Sequence, residues 1–168
     1  MNGRPAMVIR SVRRADREPL KELIEKTGVF SDAEVEIALE LIDVVLDRPD
    51  QRDYSIAVSE EGGTPVGYYC LGPTPGTKGT YDLYWIAVAP SRHGQGIGAA
   101  LDAHAEAFVR SSAGRLIVAE TSSTPRYDST RGFYLRRGYA EVSRIRDYYS
   151  PGDDLVVFGK YLVPQHGG

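Results

Sequence analysis

The chain has 168 residues, a formal net charge of −3 and a single cysteine, Cys70. A chain of this length buries roughly 70% of its unfolded surface, enough for one domain over 1–168 without a disulfide or metal staple, and a lone thiol suits a reducing compartment. The acidic balance argues against nucleic-acid binding through bulk charge, and the longest uncharged run, Gly62 to Thr77, carries three prolines and cannot span a membrane.

The start through Arg14 is arginine-rich and has no apolar stretch of signal-peptide length, so the expected location is cytoplasmic. Val8 to Val12 predicts a first strand. Asp16 is then placed to cap a helix whose apolar face is Leu20, Leu23, Ile24 and Thr27, with Gly28 as its stop. Ser31 and Glu34 form a capping box for a second helix, with Val35, Ala38, Leu39, Ile42, Val45 and Leu46 on its apolar stripe. Tyr54 to Ser59 and Val66 to Leu71 predict two strands joined at Glu61-Gly62-Gly63. Gly72 to Gly79 is loop, Tyr81 to Val88 a strongly apolar strand, and Pro90 ends it. A glycine-rich turn leads into a helix from about Gly98 to Ser111. Arg115 to Glu120 predicts a buried strand, Thr121 to Ser129 a polar loop, and Thr130 to Arg137 a short helix stopped by Gly138. Tyr139 to Tyr148 and Leu155 to Leu162 predict two last strands around the turn Ser150 to Asp154. This order predicts an α/β fold with a mixed sheet and helices on both faces, including one parallel crossover through the helix after the apolar strand.

The glycine turn carries the most chemical information. Gly94, Gly96 and Gly98 remove side chains where backbone amides point out of a helix N-terminus, an arrangement that can cradle a pyrophosphate. No Gly-Lys-Ser/Thr is present, which excludes a P-loop, and the acid that a dinucleotide fold requires on a second strand is missing.

The segment from Leu83 to Leu101 resembles the acyl-CoA signature of the GNAT superfamily of N-acetyltransferases. Val88-Ala-Pro90 matches its strand end, and His93-Gly-Gln-Gly96-Ile-Gly98 matches its loop, with His93 where the family has glutamine or arginine and Arg92 one residue earlier. A second segment, Arg131-Gly-Phe-Tyr-Leu-Arg-Arg-Gly-Tyr139, resembles the family's Phe-Tyr-x-x-x-Gly-Phe/Tyr helix and following strand. The resemblance spans nearly the whole chain. It implies a mostly antiparallel central sheet of about seven strands, acetyl-CoA as donor co-substrate and a primary-amine acceptor, with no metal; it leaves a homodimer open.

The resemblance also implies roles. The pyrophosphate falls to His93, Gly94, Gln95, Gly96, Ile97, Gly98 and Ala99, and the pantetheine arm and thioester oxygen to the backbone of Ile86, Ala87 and Val88. Tyr134 becomes the acid that protonates the leaving thiolate, since a phenol of pKa about 10 is matched to a thiol of about 8.5. A base is useful because only about one lysine-like amine in two thousand is neutral at pH 7. Asp82 stands where some family members carry a glutamate; Glu120, at a strand end, is its rival. His93, His104 and His166 lack metal-ligand spacing, and Cys70 suits a core strand.

Two features point to the acceptor. Glu36, Glu40, Asp43 and Asp47 share one face of the second helix and form an acidic wall that would draw in cations. Tyr148 and Tyr149 resemble paired tyrosines in the last hairpin of the family's protein N-terminal acetyltransferases; strand alternation would let one of them at most face an acceptor. Two other readings stay open: a non-catalytic CoA-binding regulatory module, and a nucleotide-binding protein that uses the same glycine turn.

Overall fold

The computed structural model describes residues 5–163, which leaves His166 outside the described residues. Among the described residues, seven strands and four α-helices follow in the order β1 (Met7–Ser11), α1 (Arg17–Thr27), α2 (Asp32–Asp47), β2 (Ser55–Glu61), β3 (Thr64–Pro73), β4 (Thr80–Val88), α3 (Ile97–Ser111), β5 (Leu116–Ser122), α4 (Asp128–Arg136), β6 (Ala140–Ser150) and β7 (Asp153–Tyr161). The strands form one sheet of order β1-β2-β3-β4-β5-β7-β6, mostly antiparallel, with β4 and β5 parallel. That matches the expected architecture. Among the described residues, no helix is long and apolar enough to cross a membrane.

Contacts divide the chain into two compact units. The first contains the residues up to Gly72 together with Trp85–Ala105; the second contains Pro73–Tyr84 and the residues from Glu106 on.

In the first unit, Leu20, Leu23 and Ile24 of α1 and Val35, Ala38 and Ile42 of α2 recur at helical spacing and bury against Ile56 and Val58 of β2 and Tyr68 and Cys70 of β3. Gly28 ends α1 in the left-handed conformation at φ 65°. The Ser31–Glu34 capping box forms as expected: Ser31 Oγ accepts from Glu34 N at 3.3 Å, and Glu34 Oε2 accepts from Ser31 N at 2.7 Å. Gly67 and Tyr69, the alternate residues of β3, face α3 instead. A Cβ on Gly67 would come within 3.0 Å of Leu101 Cδ1, so glycine permits the close helix approach. The Tyr69 hydroxyl bonds His104 Nδ1 at 2.8 Å. Helices thus cover both faces of β3. Cys70 is fully buried, which pushes its thiol up to about 12 and fits a core residue.

Asp16 departs from its expected role. Its carboxylate makes no cap bond to α1. It accepts instead from Arg13 N at 2.7 Å and from the Arg10 guanidinium at 2.7 and 2.9 Å, while the same guanidinium reaches Glu60. Burial raises the Asp16 carboxyl, but the bonds to Arg10 and Arg13 outweigh that and hold it below the ordinary 3.8. A depressed folded-state pKa stabilises above the unfolded value and is lost as pH falls through the lowered one. Asp16→Asn is therefore expected to cost about 2 kcal/mol at pH 7. It should also flatten the acid limb of stability below about pH 4 in urea melts. An unchanged acid limb would remove Asp16 from this linkage.

In the second unit, β7 pairs antiparallel with both β5 and β6, and Ile117, Ala119, Val156 and Phe158 are buried along it. The short helix begins at Asp128, two residues ahead of its expected start, after a 3-10 turn over Pro125–Tyr127.

Candidate functional site

In the first unit, β4 gives way to a 3-10 turn over Pro90–Arg92, with Arg92 N bonded to Ala89 O at 2.8 Å. Gly94 and Gly96 follow at φ 73° and 81°, a region that residues with a Cβ rarely adopt. A Cβ built on either one meets nothing within 4 Å, so the outer side of the turn is open. Ala100 N closes the first helical bond to Gly96 O at 3.0 Å. The N–H groups of Ile97, Gly98 and Ala99 precede any intrahelical acceptor and so point out of the helix start. Ile97 and Leu101 are buried and anchor α3 from the inside. An open, amide-lined turn at a positive helix end fits a phosphate group on geometry and charge alike.

The side chains beside this turn point back to the protein. His93 Nε2 donates to Val88 O at 2.9 Å. Arg92 pairs with Glu61, which lies buried at the end of β2, and reaches Gln95 Oε1 at 3.4 Å. Among the three backbone candidates of β4, Ala87 is buried, and Ile86 and Val88 are half-buried.

The second unit carries Tyr134, Asp82 and Glu120. Tyr134 is buried, its ring 5.2 Å from Tyr139 and 5.4 Å from Phe158. Asp82 is half-buried and lies opposite Val118 in the parallel ladder, which runs from Thr80–Leu116 to this pair; β4 continues past it to Val88. Leu83 is buried on one side of β4, and Tyr84, on the side of Asp82, is exposed. Glu120 is exposed opposite Val157 of β7.

The last hairpin corrects one expectation. Tyr148 and Tyr149 do not alternate: their rings meet edge to face at 5.0 Å and 90°, both exposed. The cause is a bulge. The β6–β7 register breaks between Ile145 and Ser150, where Asp147 sits at φ 54°. Asp147 Oδ1 accepts from Gly152 N at 2.7 Å, and Asp147 N donates to Asp154 Oδ1 at 3.0 Å. Ser123 Oγ in turn accepts from Asp154 N at 2.8 Å. Burial, then the nearby charge of Glu120, pushes the Tyr149 phenol up to about 12. The Tyr149 phenol thus stands beside the Tyr148 ring at the exposed hairpin.

The acidic wall is half neutralised. Asp43 receives Arg17 at 2.6 and 2.9 Å, which lowers its carboxyl, and Asp47 receives Arg14 at 2.8 Å. Glu36 and Glu40 remain exposed on that face. No group of three metal-ligating side chains occurs among the described residues. Sequence reasoning missed Glu61, Asp147 and Asp154. The tight turn Pro151-Gly152 hinted at the last hairpin's tip, but nothing local marked Glu61.

Residues 18–139 match the model of the acetyltransferase (GNAT) family. No curated protein matches significantly in sequence. Among solved structures, a candidate acetyltransferase of the GNAT family from Desulfovibrio desulfuricans is 39% identical, with TM-score 0.91 over 94% of this chain and 100% of its own. The ribosomal-protein-S18-alanine N-acetyltransferase of Escherichia coli is 16% identical, with TM-score 0.75 over 96% of this chain and 97% of its own. An aminoglycoside 6'-N-acetyltransferase solved with coenzyme A is 19% identical, with TM-score 0.74 over 95% of this chain and 99% of its own.

Proposed function

We propose that this chain, which belongs to the acetyltransferase (GNAT) family, moves the acetyl group of acetyl-CoA to a primary amine by direct attack on the thioester. The observation that carries the reading is the open glycine turn at the start of α3, with Gly94 and Gly96 in left-handed conformation and free space beyond each. The amides of Ile97, Gly98 and Ala99 hold the donor's pyrophosphate. The backbone of Ile86, Ala87 and Val88, beyond the short β4–β5 ladder, binds the pantetheine arm and donates to the thioester oxygen as charge develops there.

The amine nitrogen bonds to the carbonyl carbon as the carbon–sulfur bond breaks. The amine's proton goes to a carboxylate, Asp82 in preference to Glu120, directly or through water. Tyr134 gives its proton to the departing sulfur and regains one from solvent. Asp82 is favoured by its place on β4, the strand that also carries Ile86, Ala87 and Val88, and by being half-buried where Glu120 is exposed.

The acceptor is a small amine or a protein or peptide N-terminus; the structural relatives include one enzyme named for an aminoglycoside and one named for a ribosomal-protein alanine. The paired, exposed rings of Tyr148 and Tyr149 favour the peptide, since they offer two phenol donors and two flat faces side by side. The test is transfer itself: release of the CoA thiol that requires acetyl-CoA and an amine together. Tight CoA binding without transfer to any amine would favour the alternative, a non-catalytic CoA-binding regulatory module.

A further inference from the structure

We infer that Glu61 is a positioning residue for the donor: it fixes the glycine turn by holding Arg92, so that Arg92 serves as a strut and not as a phosphate ligand. The inference rests on the reading of the turn as the acetyl-CoA pyrophosphate site.

The turn cannot hold its own shape. Gly94 and Gly96 have no side chains to pack, and nothing lies within 4 Å of where a Cβ would be. Glycine also loses the most backbone freedom on ordering, so an unbraced turn would have to be ordered by the ligand at a cost to affinity. On the helix side the brace is the buried Ile97 and Leu101. On the strand side it is Arg92 and His93. Arg92 N is tied to Ala89 O at 2.8 Å, and its guanidinium pairs with Glu61, whose side chain is 5% exposed against 27% for Arg92. Arg92 Nη1 extends the tie to Gln95 Oε1 at 3.4 Å, inside the turn. His93 adds its bond to Val88 O.

A carboxylate buried this far calls for charge compensation, and the Arg92 guanidinium supplies it. Glu61 is also placed to be rigid. It closes β2, pairs in register with Thr64 across the Gly62-Gly63 hairpin, and so presents its carboxylate from the sheet. Arg92 lies two residues before Gly94, and its guanidinium is turned to Glu61. Glu61 takes that cation and converts it into a support.

The experiment measures KM for acetyl-CoA and kcat for the wild-type protein, Glu61→Gln, Arg92→Met and the double variant, with S-acetylpantetheine as a donor that lacks the pyrophosphate. The expected result is a rise in acetyl-CoA KM of about five-fold in each single variant, with kcat within about two-fold. The double variant should be no worse than either single one, because both break one pair. The KM for S-acetylpantetheine should not move, a split that general loss of folding would not give. Glu61→Asp should restore part of the affinity. Two results would overturn the inference. One is an unchanged or lowered acetyl-CoA KM in Glu61→Gln alongside a raised one in Arg92→Met, which would make Arg92 a direct phosphate ligand. The other is equal losses with both donors. A wild-type protein that binds no CoA would instead overturn the donor assignment itself.

Discussion

Replacing Tyr134 by phenylalanine is expected to lower kcat for acetyl transfer by about 10²-fold or more while CoA affinity stays within about two-fold. The substitution is chosen so that packing survives. Tyr134 is buried with its ring against Tyr139 and Phe158, and phenylalanine keeps that ring. Only the hydroxyl goes, and it acts as the thiolate leaves, so its loss appears in turnover and not in donor binding. Stopped-flow or steady-state thiol release gives the first quantity and calorimetric titration of CoA the second. Turnover within a few-fold of the parent would make Tyr134 a packing residue. In the same assays, Asp82→Asn should suppress the rise of kcat/KM with pH more than Glu120→Gln does; the reverse ranking would give the base role to Glu120.

The second large effect is expected at Gly96. Gly96→Val should weaken CoA binding by about 10²-fold or more, because a branched side chain would fill the space the pyrophosphate needs. Two costs must be separated. At φ 81° any L side chain is strained, on the order of 1–2 kcal/mol. Beyond its chain neighbours, no protein atom lies within 4 Å of the new Cβ, so the main expected cost in the protein is backbone strain. Thermal melts without ligand should therefore show a modest loss of stability and a cooperative transition, while the shift normally produced by CoA disappears. An intact CoA shift in Gly96→Val would move the pyrophosphate off this turn.

Much of the fold was legible because its determinants are local. The Ser31–Glu34 box and the Leu20, Leu23 and Ile24 spacing fix the first helices within a few residues of chain, and the glycine turn is written in consecutive positions. What escaped depends on partners far apart in sequence or on a single backbone choice. Asp16 looks like a cap because caps are short-range, but Arg10, itself held by Glu60, draws it into a part-buried cluster. Asp43 and Asp47 look like a free acidic face until Arg17 and Arg14 come to lie against them. Strand alternation separates Tyr148 from Tyr149 only while the ladder is regular, and Asp147 at φ 54° breaks it with no glycine to announce the break. Glu61 and Arg92 are 31 positions apart, and neither has a neighbour pattern that names the other.

The most direct measurement of the central claim is thiol release from acetyl-CoA by the purified chain against short peptides, free amino acids, polyamines and aminoglycosides, with the acetylated amine identified by mass spectrometry. The account predicts release that needs protein, acetyl-CoA and amine together, with one acetyl group on the amine per thiol, and short peptides ahead of the other classes. Robust transfer to a polyamine or aminoglycoside with none to any peptide would keep the enzyme and discard the peptide acceptor. CoA binding with no thiol released by any amine would contradict the account.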